Sequence, residues 1–416
     1  MNIPDKSTKL EKLFDIRLLL VLFLLFTSSI AYTAALEWDE GSFLTNAEYF
    51  SGDSSNFEES RPAAVSYAVS GIWLLTGEST FSARFIVVLA GIGCIVVFHR
   101  IALEEFDEPL RITAVFAFSP LLLYWSAHIY TDVPALLFLL GSFYMFQRDR
   151  HFLAGILISI AGTVRYVFLV LAIGMGVGYI LERRNRISQP ILGGLMGSAP
   201  FLLYSKIYYE GFFARIIMYL TRVSHWSDSG FVASVVPGVK SGLFTLSGLI
   251  PALYPGWKDT GLTEKSMITA YTIFIIFISG NSYPRYWLAI LPFLLLVAYR
   301  GLDRKFFYLA SAIMLITSGF GVVTDGMNHQ RCEEPLENAL DYSSDLEGKF
   351  VSDSWAIAGY RLDKPVMSPW KSLSELRDEE DVKYAVLSSD EPYEIMKSFS
   401  NNCRNYYVYD LERPKA

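Results

Sequence analysis

Apolar and polar positions along this chain alternate in whole segments. From 18 to 36 no charged residue interrupts the apolar run, which is long enough to cross a bilayer as a helix. At Glu37-Trp38-Asp39-Glu40 the run stops and three carboxylates arrive together. Comparable apolar stretches follow at 81–103, 112–129, 133–146, 191–208, 266–279, 286–299 and 306–323, with a weaker, Gly- and Pro-punctuated one at 237–255. Between 151 and 181 the apolar run is too long for one span and basic on both flanks. A helical hairpin with Arg165 near its outer tip satisfies the positive-inside rule there. The pattern predicts about eleven spans.

Charge then sets the orientation. Lys6, Lys9, Lys12 and Arg17 precede the first span, which places the N-terminus in the cytoplasm. Residues 37–80 become the first outer loop, and the moderately apolar piece 63–76 within it is expected to lie along the outer membrane face. From Thr324 onward the pattern is that of a soluble domain. Residues 350–352, 384–387 and 406–409 read as strands, and 336–346 and 392–399 as helices. The predicted fold class is a membrane all-α bundle of about eleven transmembrane helices, residues 1–323, with a small extracytoplasmic α/β domain, residues 324–416.

Composition agrees with that outline. Of 416 residues 52% are hydrophobic and 19% charged, against about 25% charged in soluble domains. The net charge of -7 comes without a basic stripe, so nucleic acid is not an expected partner. The first apolar run is too long for a cleaved signal peptide and reads as a retained anchor. Cys94 lies in an apolar run, while Cys332 and Cys403 bracket the C-terminal region. A disulfide between those two, in an oxidising compartment, and two unrelated thiols are equal alternatives.

On this topology Asp39, Glu40, Arg61, Arg84, Asp132, Arg165, His225 and Arg285 all fall on the outer face or just beneath it. Each has a bland reading. The acidic residues form a solvated loop, Arg84 snorkels, His225 sits in a surface loop, and Arg61 before Pro62 starts a surface helix. Thr131-Asp132-Val133-Pro134 has the look of a helix start, so Asp132 is equally a cap. Their joint chemistry points elsewhere, because carboxylates are general bases and buried arginines hold phosphates. A transferase that uses a sugar on a lipid phosphate needs both: a base for the acceptor hydroxyl and a cation for the leaving phosphate.

Trp38-Asp39-Glu40 after the first span resembles the acidic motif of the C-type integral-membrane glycosyltransferases. That superfamily includes protein O-mannosyltransferases, aminoarabinose transferases and related dolichyl- or undecaprenyl-phosphate-sugar enzymes. The resemblance continues through Arg61-Pro62 with Tyr67, through residues 77–84 ending in Ser82-Ala83-Arg84, and through Tyr130-Thr131-Asp132-Val133-Pro134. Arg285-Tyr286, leading to Leu291-Pro292, is similar to the superfamily's late Arg-Tyr motif. The match covers roughly the first 170 residues well and the rest by architecture.

The resemblance implies Asp39 as the catalytic carboxylate, Glu40 and Asp132 as its partners, and Arg84 as a ligand of the lipid phosphate. Arg61, Arg165, His225, Arg285 and Tyr286 are the further candidate substrate-binding residues. The implied partners are a polyprenyl-phosphate-linked sugar, a glycan or protein acceptor, and the bilayer of the cell membrane, or of the endoplasmic reticulum in a eukaryote. Some relatives in that superfamily bind a divalent metal near the acidic motif; no ligand cluster here predicts one, and no other cofactor is implied. The Trp-Trp-Asp-Tyr-Gly signature of oligosaccharyltransferases is absent, which argues against transfer of a whole oligosaccharide to asparagine. Two rivals from other classes are a multi-pass transporter and a non-catalytic membrane scaffold. A transporter calls for charges near the midplane and a two-fold repeat, whereas these charges gather at one face.

Overall fold

The computed structural model describes residues 6–52, 56–59, 61–182, 187–225, 231–278, 283–362, 364–369 and 371–414. The chain begins with α1 (Lys6–Thr33), α2 (Trp38–Ser51), α3 (Ala63–Thr76) and α4 (Thr80–Glu105). Next come α5 (Pro109–Ala117), α6 (Pro120–Ser126), α7 (Asp132–Gln147), α8 (His151–Val164) and α9 (Phe168–Glu182). The series continues with α10 (Ser188–Tyr209), α11 (Ala214–His225), α12 (Phe231–Leu246), α13 (Ile250–Trp257) and α14 (Leu262–Ile273). After a π-helical turn at Phe274–Ile278 and a 3-10 turn at Pro284–Ala289, α15 (Leu291–Gly301) and α16 (Arg304–Ser343) complete the helical part.

Among the described residues three helical stretches are long and apolar enough to cross a membrane: Ile16–Thr33, Thr80–Glu105 and Arg304–Val323. Five shorter apolar helices accompany them. The count of eleven spans is therefore not reproduced as eleven long helices. Leu25, Phe26, Leu74, Leu75, Ile316 and Phe320 are exposed, the surface expected of helices that face lipid. This is a multi-pass membrane protein.

Local chemistry explains most of the breaks. The expected span 112–129 is split into α5 and α6 because Pro120 cannot continue a helix and Ser119 caps the new one, its hydroxyl accepting from the Leu122 amide. The long run 151–181 does fold as two helices. Arg165 is extended, with φ −143° and ψ 109°, between α8 and α9. In the other direction, α16 runs for 40 residues straight through the expected domain boundary at 323/324 and past Pro335.

The chain divides into two compact units. One holds Met1–Ser29, Val87–Ala127 and Thr131–Val322; the other holds Ile30–Ile86, His128–Tyr130 and Val323–Ala416. In the first, α8 packs on α7 and α10, and α9 on α14. Gly155 and Gly193 let the α8 and α10 backbones touch, since a Cβ at either would collide with a carbonyl of the other helix. Arg300 of α15 pairs with Glu105 of α4 at 2.5 Å and Glu264 of α14 at 2.7 Å.

The second unit thus joins residues 30–86 and 128–130 to a C-terminal segment that starts at Val323, within a residue of the expected 323/324 boundary, so residues 1–323 do not form a single unit. Its sheet comprises β1 (Lys349–Ser352), β2 (Val366–Met367), β3 (Val382–Leu387), β4 (Tyr393–Ser400) and β5 (Asn405–Pro414) in the order β2-β1-β3-β5-β4. β1 is parallel to both neighbours, and the remaining pairs are antiparallel. Alternation sends Phe350, Val386 and Val408 to one face, with the end of α16 and α17 (Trp355–Leu362). Val351, Ala385 and Tyr409 go to the other, with α18 (Leu373–Glu380).

Three strands stand where the pattern predicts them, but 392–399 is strand β4, not a helix. A register shift between Ile395 and Lys397 breaks the alternation. Tyr393 then packs on one face of the sheet while Met396 and Phe399 pack on the other. Apolar residues at 393, 396 and 399 thereby imitate a helical period.

α2 and α17 lie in direct contact within this unit. A Cβ on Gly41 would overlap the Ala356 carbonyl, so α2 docks by its bare backbone. Gly41→Ala must push the two helices apart, which overpacking precedents put at about 1–3 kcal/mol. The expected result is a melting temperature lower by several degrees, read by thermal unfolding in detergent; an unchanged Tm would show that the contact is soft.

Candidate active site

α2 is placed by its own first turn. Glu37 is its N-cap, and the Glu37 amide donates to Glu40 Oε2 at 2.9 Å, one arm of a capping box. Asp39 and Glu40 occupy the first turn, where the helix dipole favours negative charge. Gly52, at φ 86°, ends the helix in the left-handed conformation.

Adjacent in sequence, the two carboxylates have different surroundings. Glu40 is fully buried and Asp39 retains 14% side-chain exposure. Glu40 Oε1 accepts from Arg84 Nε at 2.9 Å and the Ile129 amide at 2.7 Å, and Oε2 accepts from Arg84 Nη2 at 2.7 Å. Burial opposes its charge, but Arg84, then His128, then the hydrogen bonds hold the Glu40 carboxyl below the ordinary range. Asp39 Oδ1 instead pairs with Arg61 Nη2 at 2.5 Å, and Arg61 lies 5.9 Å from the centre of the Trp38 ring.

Arg84, the expected ligand of the lipid phosphate, directs its guanidinium into the protein. Besides its fork onto Glu40, Arg84 donates from Nη1 to the carbonyls of Ala31 and Ala34 and from Nη2 to that of Ala35, all at 2.9 Å. All five N–H donors of a guanidinium are thereby used. Arg84 ties the C-terminal end of α1 to the start of α2, and Glu40 is its counter-ion.

Two further residues join this cluster: Tyr130, quoted in the Tyr130–Pro134 motif but given no role, and His128, which the motif reading passed over. Tyr130 donates to Glu37 Oε2 at 2.6 Å, and His128 Nε2 lies 3.8 Å from Glu37 Oε1. His128 is buried. The signal available in the sequence was its position two residues before Tyr130, at the start of the fourth motif. Among the described residues no three His, Cys, Asp or Glu side chains assemble as a metal site.

The other unit carries a second polar centre. Arg165, at the α8–α9 break, meets Asp132 Oδ1 through Nε at 2.9 Å and Thr131 Oγ1 through Nη1 at 3.0 Å. Asp132 is the first residue of α7, after the N-cap Thr131, so it is not itself the cap. Arg165 lies 5.2 Å from the Tyr286 ring centre. Arg285 lies among Tyr283, Trp125 and Tyr286, at 5.2, 5.6 and 5.8 Å. The structure thus groups Asp39, Glu40, Arg61 and Arg84 in one unit and Asp132, Arg165, Arg285 and Tyr286 in the other. His225 ends α11, and its side chain lies outside the described residues.

Cys332 and Cys403 form a disulfide, with Cα atoms 5.2 Å apart, so the pairing alternative is the one seen.

No protein-family model and no curated protein matches this chain. Among solved structures, the crystal structure of ArnT from Cupriavidus metallidurans bound to undecaprenyl phosphate superposes with a TM-score of 0.69 at 15% identity, covering 94% of this chain and 97% of ArnT. The apo form of the same protein gives 0.70 at 15% identity, over 97% and 98%. The chain therefore has the fold of ArnT over nearly its whole length.

Proposed function

We propose that the protein is a glycosyltransferase that moves a single sugar from a polyprenyl-phosphate donor to an acceptor on the extracytoplasmic side of the membrane. The observation that carries this reading is the contrast between Asp39 and Glu40 within the ArnT fold, one carboxylate partly open and the other sealed by Arg84. Asp39 then takes the proton of the acceptor hydroxyl as its oxygen attacks the anomeric carbon. The bond from that carbon to the phosphate oxygen breaks, and polyprenyl phosphate leaves with the electron pair. Arg61 orients Asp39, with Trp38 against its guanidinium. The ArnT crystal structure contains undecaprenyl phosphate, which supports a lipid-phosphate donor here.

Arg285 is assigned to the donor phosphate, because aromatic faces hold an arginine flat and a flat guanidinium suits two phosphate oxygens. Arg285→Lys is expected to raise the donor KM about tenfold with little change in melting temperature. Kinetics over a range of donor concentration check this, and an unaltered KM removes Arg285 from the role.

The disulfide supports an outward-facing C-terminal region, since such bonds persist in oxidising compartments. Protease applied to intact cells is expected to remove that region. Degradation only after permeabilisation would invert the topology.

The activity itself is tested with protein reconstituted into liposomes and a panel of labelled polyprenyl-phosphate sugars. Release of polyprenyl phosphate that depends on Asp39 is the expected result. No release from any donor in the panel, by folded protein, would overturn the reading.

A further inference from the structure

A second candidate site lies in the C-terminal residues, at the end of the sheet where β1 and β3 finish. From β1 the chain departs through α17 to β2 on one side, and from β3 it departs to β4 on the other. That is a topological switch point, and in open α/β sheets ligands bind in the crevice outside the carboxyl ends of such strands. A cavity of about 640 Å³ opens there, lined by Asp353 and Ser354 after β1, Ser388 after β3, Asn402 and Arg404 from the β4–β5 connection, and Tyr406 at the start of β5.

The cavity is built with care for polar groups. Asp353 Oδ2 accepts from the Ser388 amide at 2.8 Å and from its hydroxyl at 2.5 Å. Oδ1 is buried, and among the described residues no donor meets it. The far wall is fixed from three directions. Asn401 Oδ1 accepts from the amides of Cys403 and Arg404 at 2.9 and 3.1 Å, Cys403 is bonded to Cys332 of α16, and Arg404 pairs with Glu333 at 2.9 Å. Ser354 and Tyr406 hydroxyls bond to each other at 3.0 Å.

Chemistry narrows the ligand. No aliphatic side chain lines the cavity, which disfavours a lipid. One carboxylate is too few for a metal site, and Arg404 already has Glu333 as its counter-ion, which weakens it as a phosphate ligand. What remains is a carboxylate oxygen in need of donors, beside hydroxyl and amide groups that both donate and accept. Neighbouring hydroxyls of a saccharide supply those donors. We propose that this cavity binds an uncharged saccharide through Asp353, with Ser388 and Asn402 as flanking partners. Its identification as the seat of a glycan acceptor rests on the transferase reading; the binding does not.

The test is saturation-transfer NMR on full-length protein in nanodiscs, with methyl gluco-, manno-, galacto- and arabinosides and their disaccharides as probes. Binding of at least one probe is expected. It should weaken about tenfold or more in Asp353→Asn, from the lost charged acceptor, and in Asn402→Trp, where an exposed rim residue fills the cavity without touching the core. Asp39→Asn should bind as the parent does. Three results overturn the proposal: no probe binds folded protein, binding survives both cavity variants, or inorganic phosphate occupies the cavity and Arg404→Gln abolishes it. Saccharide binding that depends on Asp353, in a protein that cleaves no lipid-phosphate sugar, would retain this site and remove only the transferase reading.

Discussion

Arg84→Ala is expected to unfold the protein, not to make a folded enzyme with a weakened donor. The substitution leaves the Glu40 carboxylate buried with no cation, and breaking a buried pair from one side costs about 3–5 kcal/mol. The carbonyls of Ala31, Ala34 and Ala35 lose their shared donor as well, at about 1–3 kcal/mol for each one left buried and unpaired. Sums of that size approach the whole stability of an ordinary domain, about 5–15 kcal/mol. The measurements are the yield of monodisperse protein in detergent and its melting temperature. The same pair gives the protein an acid limit. The folded Glu40 carboxyl titrates below its ordinary value, so its contribution is complete at neutral pH and is lost as the pH falls through the folded pKa. Glu40→Gln should be less stable than the parent at neutral pH, with a flatter dependence on acid. An Arg84→Ala protein that melts with the parent and fails only in donor use would return Arg84 to the phosphate.

The sequence announced the acidic motif and the late arginines, because an uninterrupted apolar run ending in three carboxylates is a one-dimensional feature. It did not announce what each residue does, because that depends on partners 44 and 89 positions away, Arg84 and Ile129. A motif presents Arg84 as a cation; only the fold shows its donors used up. Helix ends followed local chemistry, but the break at Pro120 was read through as one span over 112–129, because the apolar run continues on both sides of it. The C-terminal segment of the second unit begins at Val323, within a residue of where polarity begins at Thr324, but α16 runs on through that point, since a change from apolar to polar residues does not stop a helix. β4 was misread because its bulge produced a spacing of three. The disulfide was undecidable from two cysteines 71 residues apart, because spacing over that distance carries no geometry.

Asp39→Asn is expected to fold, insert and bind donor, yet to transfer sugar about a hundred to ten thousand times more slowly, the usual loss when a general base is removed. The geometry separates this residue from its neighbour. Glu40 is sealed, and each of its oxygens accepts two hydrogen bonds, so a proton placed there would break the fork with Arg84. Asp39 has solvent access and is paired with Arg61, whose side chain is itself partly exposed. Asparagine keeps the size of Asp39 and one oxygen for Arg61 but cannot accept a proton at neutral pH. Turnover should therefore collapse while the melting temperature moves little, the reverse of the result for Glu40→Gln. Arg61→Gln is the companion variant, expected to weaken turnover less, since it releases the base without removing it. Three rates and three melting temperatures decide the assignment. Near-normal transfer by Asp39→Asn, with a folded Glu40→Gln protein inactive, would move the base by one residue; near-normal transfer by both would leave the reaction without a carboxylate base in this motif.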